Sequence, residues 1–440
     1  MTIINQTFVL QQANGSPVGA NAYGLETKSS WCRLSDNRMV VAYVNGSSSV
    51  PSTRYFAIID NPDGLNSETS PNITNGITAT GDTVGSSYYS YAIKMERINA
   101  NTFMVASNTS TLTWTIDVFT LVGTTITKVH SVPYTITSPY GMLIYNVPTL
   151  QTSITAHKKD NVVWFCHPSP YYTVNDAYNR FVYWTGITTA KMVWDSSLNK
   201  LTIATSAQFG GQYGSYGTGY YDQNYYNSPT ISPFRPVDFY VTDIPDSDMM
   251  AVGYRFLNHS SGMPATRLPS PISSWYFTLG DSVGSLRMIS TASHEVCFNS
   301  PTRRVQADWQ SAYFYDANDT TTRRGGSLFP KVTPDPTDVS PFLLGLDADH
   351  TAIIDPKHFF DANAPLRMKV FRRDDSNMLT LSDASNSTYG MTINPPVKIK
   401  PCADKCRPVL FNQDIMWAGI KSGTSNDFAY NIIKQPPVSS

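Results

Sequence analysis

Charge is scarce in this sequence. Asp, Glu, Lys and Arg make up 15 % of 440 residues, and 32 basic against 33 acidic side chains leave a net charge of −1. There is no dense basic run, which argues against broad phosphate binding, whose affinity comes from many Lys and Arg contacts, so no specific nucleic-acid recognition is expected. Long apolar runs are missing as well. None approaches the roughly 20 residues that a helix needs to cross a bilayer, so no membrane insertion is expected. The opening residues, MTIINQTFVLQQANG, show no basic segment ahead of a long apolar one, and the chain is expected to lack a signal peptide and to fold in a cytoplasm. Cysteine is sparse and odd in number, with five in all, which excludes a disulfide scaffold. Cys32, Cys166 and Cys297 lie in or beside apolar runs and read as buried, inert thiols. Cys402 and Cys406, in PCADKC, lack the second pair that a zinc site of about four ligands requires, leaving a loop disulfide or two thiols.

Linear catalytic signatures are missing too. The chain contains no Gly-x-Ser-x-Gly elbow and no Walker-type phosphate loop, and His294-Glu295 runs into Val-Cys-Phe rather than toward a second His. The carboxylate pairs Asp246/Asp248, Asp347/Asp349 and Asp374/Asp375 sit in or near turns, where adjacency cannot supply the separation across a cleft that glycosidic chemistry needs. NPDGLNSE, residues 61–68, lacks the alternating Asp spacing of a calcium loop. No catalytic residue, metal or cofactor is therefore expected.

What the sequence does contain is short β-branched and aromatic runs broken by 29 Pro and 26 Gly, the pattern of an all-β chain. It also repeats itself. SDNRMVVAY, NANTFMVAS, KDNVVWFC, PDSDMMAVGY, DADHTAIID and NQDIMWAG each run a polar turn of Asp, Asn or Gln into four or five apolar residues. Asp and Asn tolerate left-handed backbone and bond to their own turn, and the run that follows is too apolar for a strand with one face in water. A second strand-like element follows each copy, including TRYFAIID, WTIDVFTLV and RFVYWTGITTAKMVW.

The turn centres lie near residues 36, 100, 160, 247, 348 and 413, a spacing of about 60 residues with two longer steps. One long step contains a Gly/Tyr-rich insertion at about 207–233; the other contains HEVCF and SAYFYD, a degenerate copy. The expectation is one β-propeller domain over residues 1–440, of seven blades, or six without the degenerate copy, each of about four antiparallel strands. Ring closure should bring Thr7 to Gln11 beside the last strands. Within the insertion, Tyr213, Tyr216, Tyr220, Tyr221, Tyr225 and Tyr226 alternate with glycine. Rigid amphipathic rings on an adaptable backbone are the composition of antibody paratopes, so these tyrosines are the candidate ligand- or partner-binding residues.

Taken together, the six copies and a surface rich in Ser, Thr, Asn and Tyr resemble the β-propeller proteins of tailed-bacteriophage particles. That resemblance implies a non-enzymatic structural component of the virion, a tail, fibre, neck or head appendage serving assembly or host-surface attachment. Its partners would be other virion proteins, copies of itself and, in attachment, a host surface glycan. A nozzle-like ring passing DNA fits less well, because only one insertion is evident. The residues alone leave open a glycan-binding propeller module or a polysaccharide-degrading enzyme, whose site would gather residues distant in sequence.

Overall fold

The structure, a computed structural model, describes residues 2–19, 25–45, 53–64, 70–82, 93–108, 113–135, 153–156, 160–168, 171–175, 180–212, 236–245, 250–258, 270–279, 286–292, 295–300, 303–307, 312–316, 319–326, 341–355, 365–373, 379–381, 391–393, 398–402, 405, 407–412 and 414–434. These residues form seven antiparallel sheets of four or five strands, following one another along the chain. The first is typical: Ser29–Ser35, Arg38–Asn45, Thr53–Asp60 and Asn72–Ile77 pair in that order. The degenerate copy is a sheet of its own, formed by Glu295–Ser300, Arg303–Ala307, Ala312–Asp316 and Asp319–Gly326.

The sheets are arranged as a propeller. Their first strands pack side by side around the centre: Ser29–Ser35 touches Ile93–Asn99, which touches Ser153–Ala156, which touches Pro236–Asp243. Glu295–Ser300 lies against both Met250–Asn258 of the fourth blade and Phe342–Gly345 of the sixth. Ser29–Ser35 also meets Asp414–Lys421 of the last blade, completing the circle.

The apolar runs behave as the repeat demands. In Arg38–Asn45 the side chains of Met39, Val41 and Tyr43 enter the core shared with the last blade, while Val40, Ala42 and Val44 enter the core shared with the second. Thr102–Asn108 alternates likewise, Phe103 and Val105 toward the first blade and Met104 and Ala106 toward the third. A radial sheet has no solvent face, so both sides of its second strand must be apolar. Each such side chain contributes about 1.5–3 kcal/mol by leaving water. The preceding turns also match, with Asn161 and Asn412 at positive φ.

Closure uses the chain's beginning. Thr2–Val9 pairs antiparallel with Asp427–Lys434 in continuous register, Thr2 opposite Lys434 and Val9 opposite Asp427, and so supplies the outer strand of the last blade. The pairing starts earlier than the Thr7-to-Gln11 expectation; Thr7, Phe8 and Val9 lie in it as expected, while Gln11 leaves the sheet and binds the first blade. There the Tyr43 hydroxyl lies 2.7 Å from both Gln11 O and Asn75 Oδ1, donating its single proton to one of them, and accepts from Gly76 N–H at 3.2 Å. Gly76 has φ +70°, and a Cβ at that position would lie 2.5 Å from Gln12 O. The insertion expected at about 207–233 also begins later, since residues 207–212 complete the strand Lys200–Gln212, paired with Arg180–Asp195.

Gly76→Ala should cost more than the roughly 1–2 kcal/mol of a left-handed alanine, because the clash with Gln12 is added to it. Gly123→Ala, at φ +61° with no atom within 4 Å of the added Cβ, should cost only the backbone part. Urea midpoints of the two variants measure the difference; equal losses would mean that the contact between residues 9–12 and the first blade does not support closure.

Candidate functional site

The ring has two unlike faces. Connections between first and second strands and between third and fourth strands lie on one, here the turn face; they include the tight links 36–37, 100–101, 123–124 and 301–302. The strand ends joined by second-to-third and fourth-to-first connections lie on the other, the connection face; the segments joining them include 10–28, 136–152, 213–235 and 327–340.

The turn face is bound together by its side chains. Asn412 Nδ2 donates to Asp36 Oδ1 at 2.8 Å between the last and first blades, and Arg97 Nε donates to Leu34 O at 2.9 Å between the first and second. Between the second and third, Arg97 Nη2 donates to Asp160 Oδ1 at 2.6 Å and Asn99 Nδ2 to Asn161 Oδ1 at 2.8 Å. Between the fifth and sixth, Arg303 Nη1 donates to Asp349 Oδ1 at 2.8 Å, and Asn299 Nδ2 to the carbonyls of Asp347 and His350. A four-charge cluster joins the last blade to the first. Arg33 reaches Asp63 at 2.7 Å and Asp414 at 3.5 Å, Lys434 reaches Asp414 at 2.7 Å and also Asp63, and the Arg33 guanidinium lies over the Phe411 ring.

The carboxylates of the repeat are thus structural. Asp347 Oδ1 accepts the backbone N–H groups of Asp349 and His350 at 2.8 Å, and the carboxylate meets His350 Nδ1 at 2.9 Å. Burial pushes the Asp347 carboxyl up, but the hydrogen bonds from His350 and Asp349 outweigh burial and hold it below its ordinary 3.8.

Three of the segments joining these strand ends carry no charged side chain, whereas 10–28, 213–235 and 327–340 each carry some. Residues 46–52 (GSSSVPS), 83–92 (TVGSSYYSYA) and 136–152 contain no Asp, Glu, Lys or Arg. The third blade extends toward this face: its strand Arg180–Asp195 runs beyond Val162–Pro168 and pairs instead with Tyr171–Asn175, Tyr171 opposite Trp184 and Tyr172 opposite Tyr183. No sequence motif pointed to this hairpin. Tyr213, Tyr216, Tyr220, Tyr221, Tyr225 and Tyr226 lie outside the described residues. Their segment leaves Gln212, the end of the strand flanking that hairpin, and rejoins the described chain at Pro236, the first residue of the fourth blade.

Cations near the centre are buried against aromatic rings. Lys94 Nζ lies 5.9 Å from the Trp114 ring, and Lys405 Nζ lies 5.7 Å from that of Trp31. Lys405 Nζ also donates to Met95 O at 2.6 Å and meets Glu96 at 3.3 Å, so the last blade reaches the second across the first. Cys32, Cys166, Cys297 and Cys402 are buried; burial pushes the Cys297 thiol up to about 12 and raises that of Cys166 further. Cys402 Sγ lies 3.5 Å from Ser29 Oγ, and Cys406 is outside the described residues. Among the described residues no group of three or more His, Cys, Asp or Glu side chains is placed to hold a metal, and no helix is long and apolar enough to cross a membrane.

No family model matches the chain, and no curated protein does. Solved structures match over nearly its whole length. A Trypanosoma rangeli sialidase is 7 % identical with a TM-score of 0.35, covering 97 % of this chain and 58 % of its own, so the chain spans little more than half of that protein. A family PL25 ulvan lyase is 8 % identical at TM-score 0.37, covering 96 % of this chain and 92 % of its own. The WD40 domain of SCAP from fission yeast is 8 % identical at TM-score 0.37, covering 99 % and 92 %. At such identities the likeness concerns fold and transfers no role. The expectation of a non-enzymatic protein is nevertheless corrected: sialidase and lyase chains are among those matched, and missing linear motifs do not exclude catalysis where sites gather residues distant in sequence.

Asp347→Ala should lower stability near neutral pH by about 1–3 kcal/mol, since three donors lose a charged acceptor. The folded carboxyl lies below 3.8, so its contribution is fully present above that pH and is lost as pH falls through the folded value. Urea midpoints of wild type and variant, measured from neutral to strongly acidic pH, should therefore converge on acidification; a constant gap would contradict the assignment.

Proposed function

We propose that the protein is a saccharide-binding propeller that engages its ligand through the connection face. The observation that carries this reading is that one set of links includes tight turns tied by side-chain bonds, while the other includes the longest connections, rich in Tyr, Ser, Thr, Asn and Gly. A sugar ring offers apolar C–H faces and a rim of hydroxyls. Tyrosine rings match the first, and hydroxyl and amide side chains match the second, at little cost in ordering or in desolvated charge. The third-blade hairpin and the Gly/Tyr segment that leaves its neighbouring strand at Gln212 are rich in tyrosine.

In the virion setting that the repeat resembles, this binding is attachment to a host surface glycan. Other virion proteins and copies of the chain are the partners which that setting implies.

Purified protein should bind members of a printed panel of neutral, amino and uronate oligosaccharides. Replacing Tyr220, Tyr221, Tyr225 and Tyr226 together by Ser should abolish that binding without moving the thermal midpoint. Silence of the wild type across the panel, or full retention by the variant, would sink the reading. Assaying the same panel for new reducing or unsaturated ends distinguishes binding from turnover.

A further inference from the structure

We propose that Arg54, Asp82, Asp117 and Lys128 are the positioning residues of the connection face, holding the roots of three of its connections in one geometry. The inference rests on the saccharide-binding reading above. Arg54 stands next to the first residue of the strand Thr53–Asp60, just after connection 46–52. Asp82 is the last described residue before 83–92, and Ser107 stands next to the end of Thr102–Asn108, just before 109–112. Arg54 Nη2 donates to Asp117 Oδ2 at 2.9 Å and to Ser107 Oγ at 3.2 Å, and Nη1 lies 3.6 Å from Asp82 Oδ2. Lys128 Nζ donates to Asp82 Oδ1 at 3.0 Å and lies 3.9 Å from Asp117 Oδ1.

Asp82 is itself delivered by a clamped linker. Thr80 forms a parallel bridge with Thr127, its N–H donating to Ile126 O and its carbonyl accepting from Lys128 N–H, each at 2.9 Å. The cluster spans the first and second blades, balances two cations with two carboxylates, and places the Arg54 guanidinium 5.3 Å from the Phe119 ring centroid. The side chains of Arg54, Asp82 and Asp117 are 4 %, 4 % and 2 % exposed. Burying such a set contributes little net stability compared with an apolar replacement, whereas its directional bonds allow few arrangements. Geometry at the roots is therefore what it provides.

The turn face supplies an internal control. Arg33, Asp63, Asp414 and Lys434 have the same charge composition and also join two blades, but lie beside no connection of the recognition face.

The test compares two charge-neutral double variants. Arg54→Met with Asp117→Leu leaves the Lys128–Asp82 pair, and Arg33→Met with Asp63→Leu leaves the Lys434–Asp414 pair. On the oligosaccharide panel, the first should lose at least about tenfold in affinity while the second binds as wild type. Equal affinities, or equal losses in both, would overturn the inference, because a merely structural role makes the two clusters equivalent. If the first variant does not fold, Ser107→Ala, which deletes a single hydrogen bond, carries the test: weaker binding at an unchanged thermal midpoint supports positioning, and unchanged binding refutes it. Failure of the wild type to bind any saccharide refutes the underlying reading, and is distinguishable from these outcomes because it appears before any substitution is made.

Discussion

Everything in this ring depends on the antiparallel pairing of Thr2–Val9 with Asp427–Lys434. The other six sheets are each built from one continuous segment, so their pairings are local and need little loop-closure entropy. The last blade joins the two ends of the chain, and its closure must be offset by what the junction buries. Closure entropy grows only slowly with length, about 0.6 kcal/mol per doubling, so a junction of ordinary size suffices. Here it includes the eight-residue register, the packing of Phe8 on Phe428, the hydroxyl of Tyr43 at Gln11 and Asn75, and the Arg33 cluster. These contacts occupy different depths of the seam, which holds the first and last blades at a fixed angle as well as in contact.

Radial sheets place a severe demand on buried charge, because a polar side chain on either face points into a neighbouring blade. The chain meets that demand with repeated pairings of cation and ring. Lys94 lies over Trp114, Lys191 over Trp164, Lys405 over Trp31, Arg54 over Phe119 and Arg407 over Phe342. A ring face adds attraction to the other partners each cation has. Carboxylates also stand at seams between blades, as Asp117 and Asp63 show.

The fold was legible in the sequence wherever a feature was local. A polar turn against an unbroken apolar run predicts a strand buried on both faces, and Met39–Val44 alternate between two cores as that implies. The degenerate copy was visible only as HEVCF and SAYFYD because its first turn is Pro301-Thr302, without the Asp or Asn that marks the others. Residues 207–212 read as loop because Gly210 and Gly211 mask a strand whose pairing with residues 184–188 carries it on. The candidate tyrosines stand out in the sequence by composition alone. The Arg54 cluster left no local mark: Asp117 is 63 residues away, and nothing around either residue distinguishes it from a surface charge.

The two faces differ in how their links are used. A turn of two residues between adjacent strands has few conformations and sits where neighbouring blades crowd, so its side chains are used up in blade-to-blade bonds such as Asn99 to Asn161. The connections between blades vary more in length, from two residues at 293–294 to 23 at 213–235. Substitutions at the turn residues that bond between blades carry a direct cost to the ring. The Arg54 cluster lies at the boundary between these regimes, deep enough to be buried and close enough to the connection roots to set their direction.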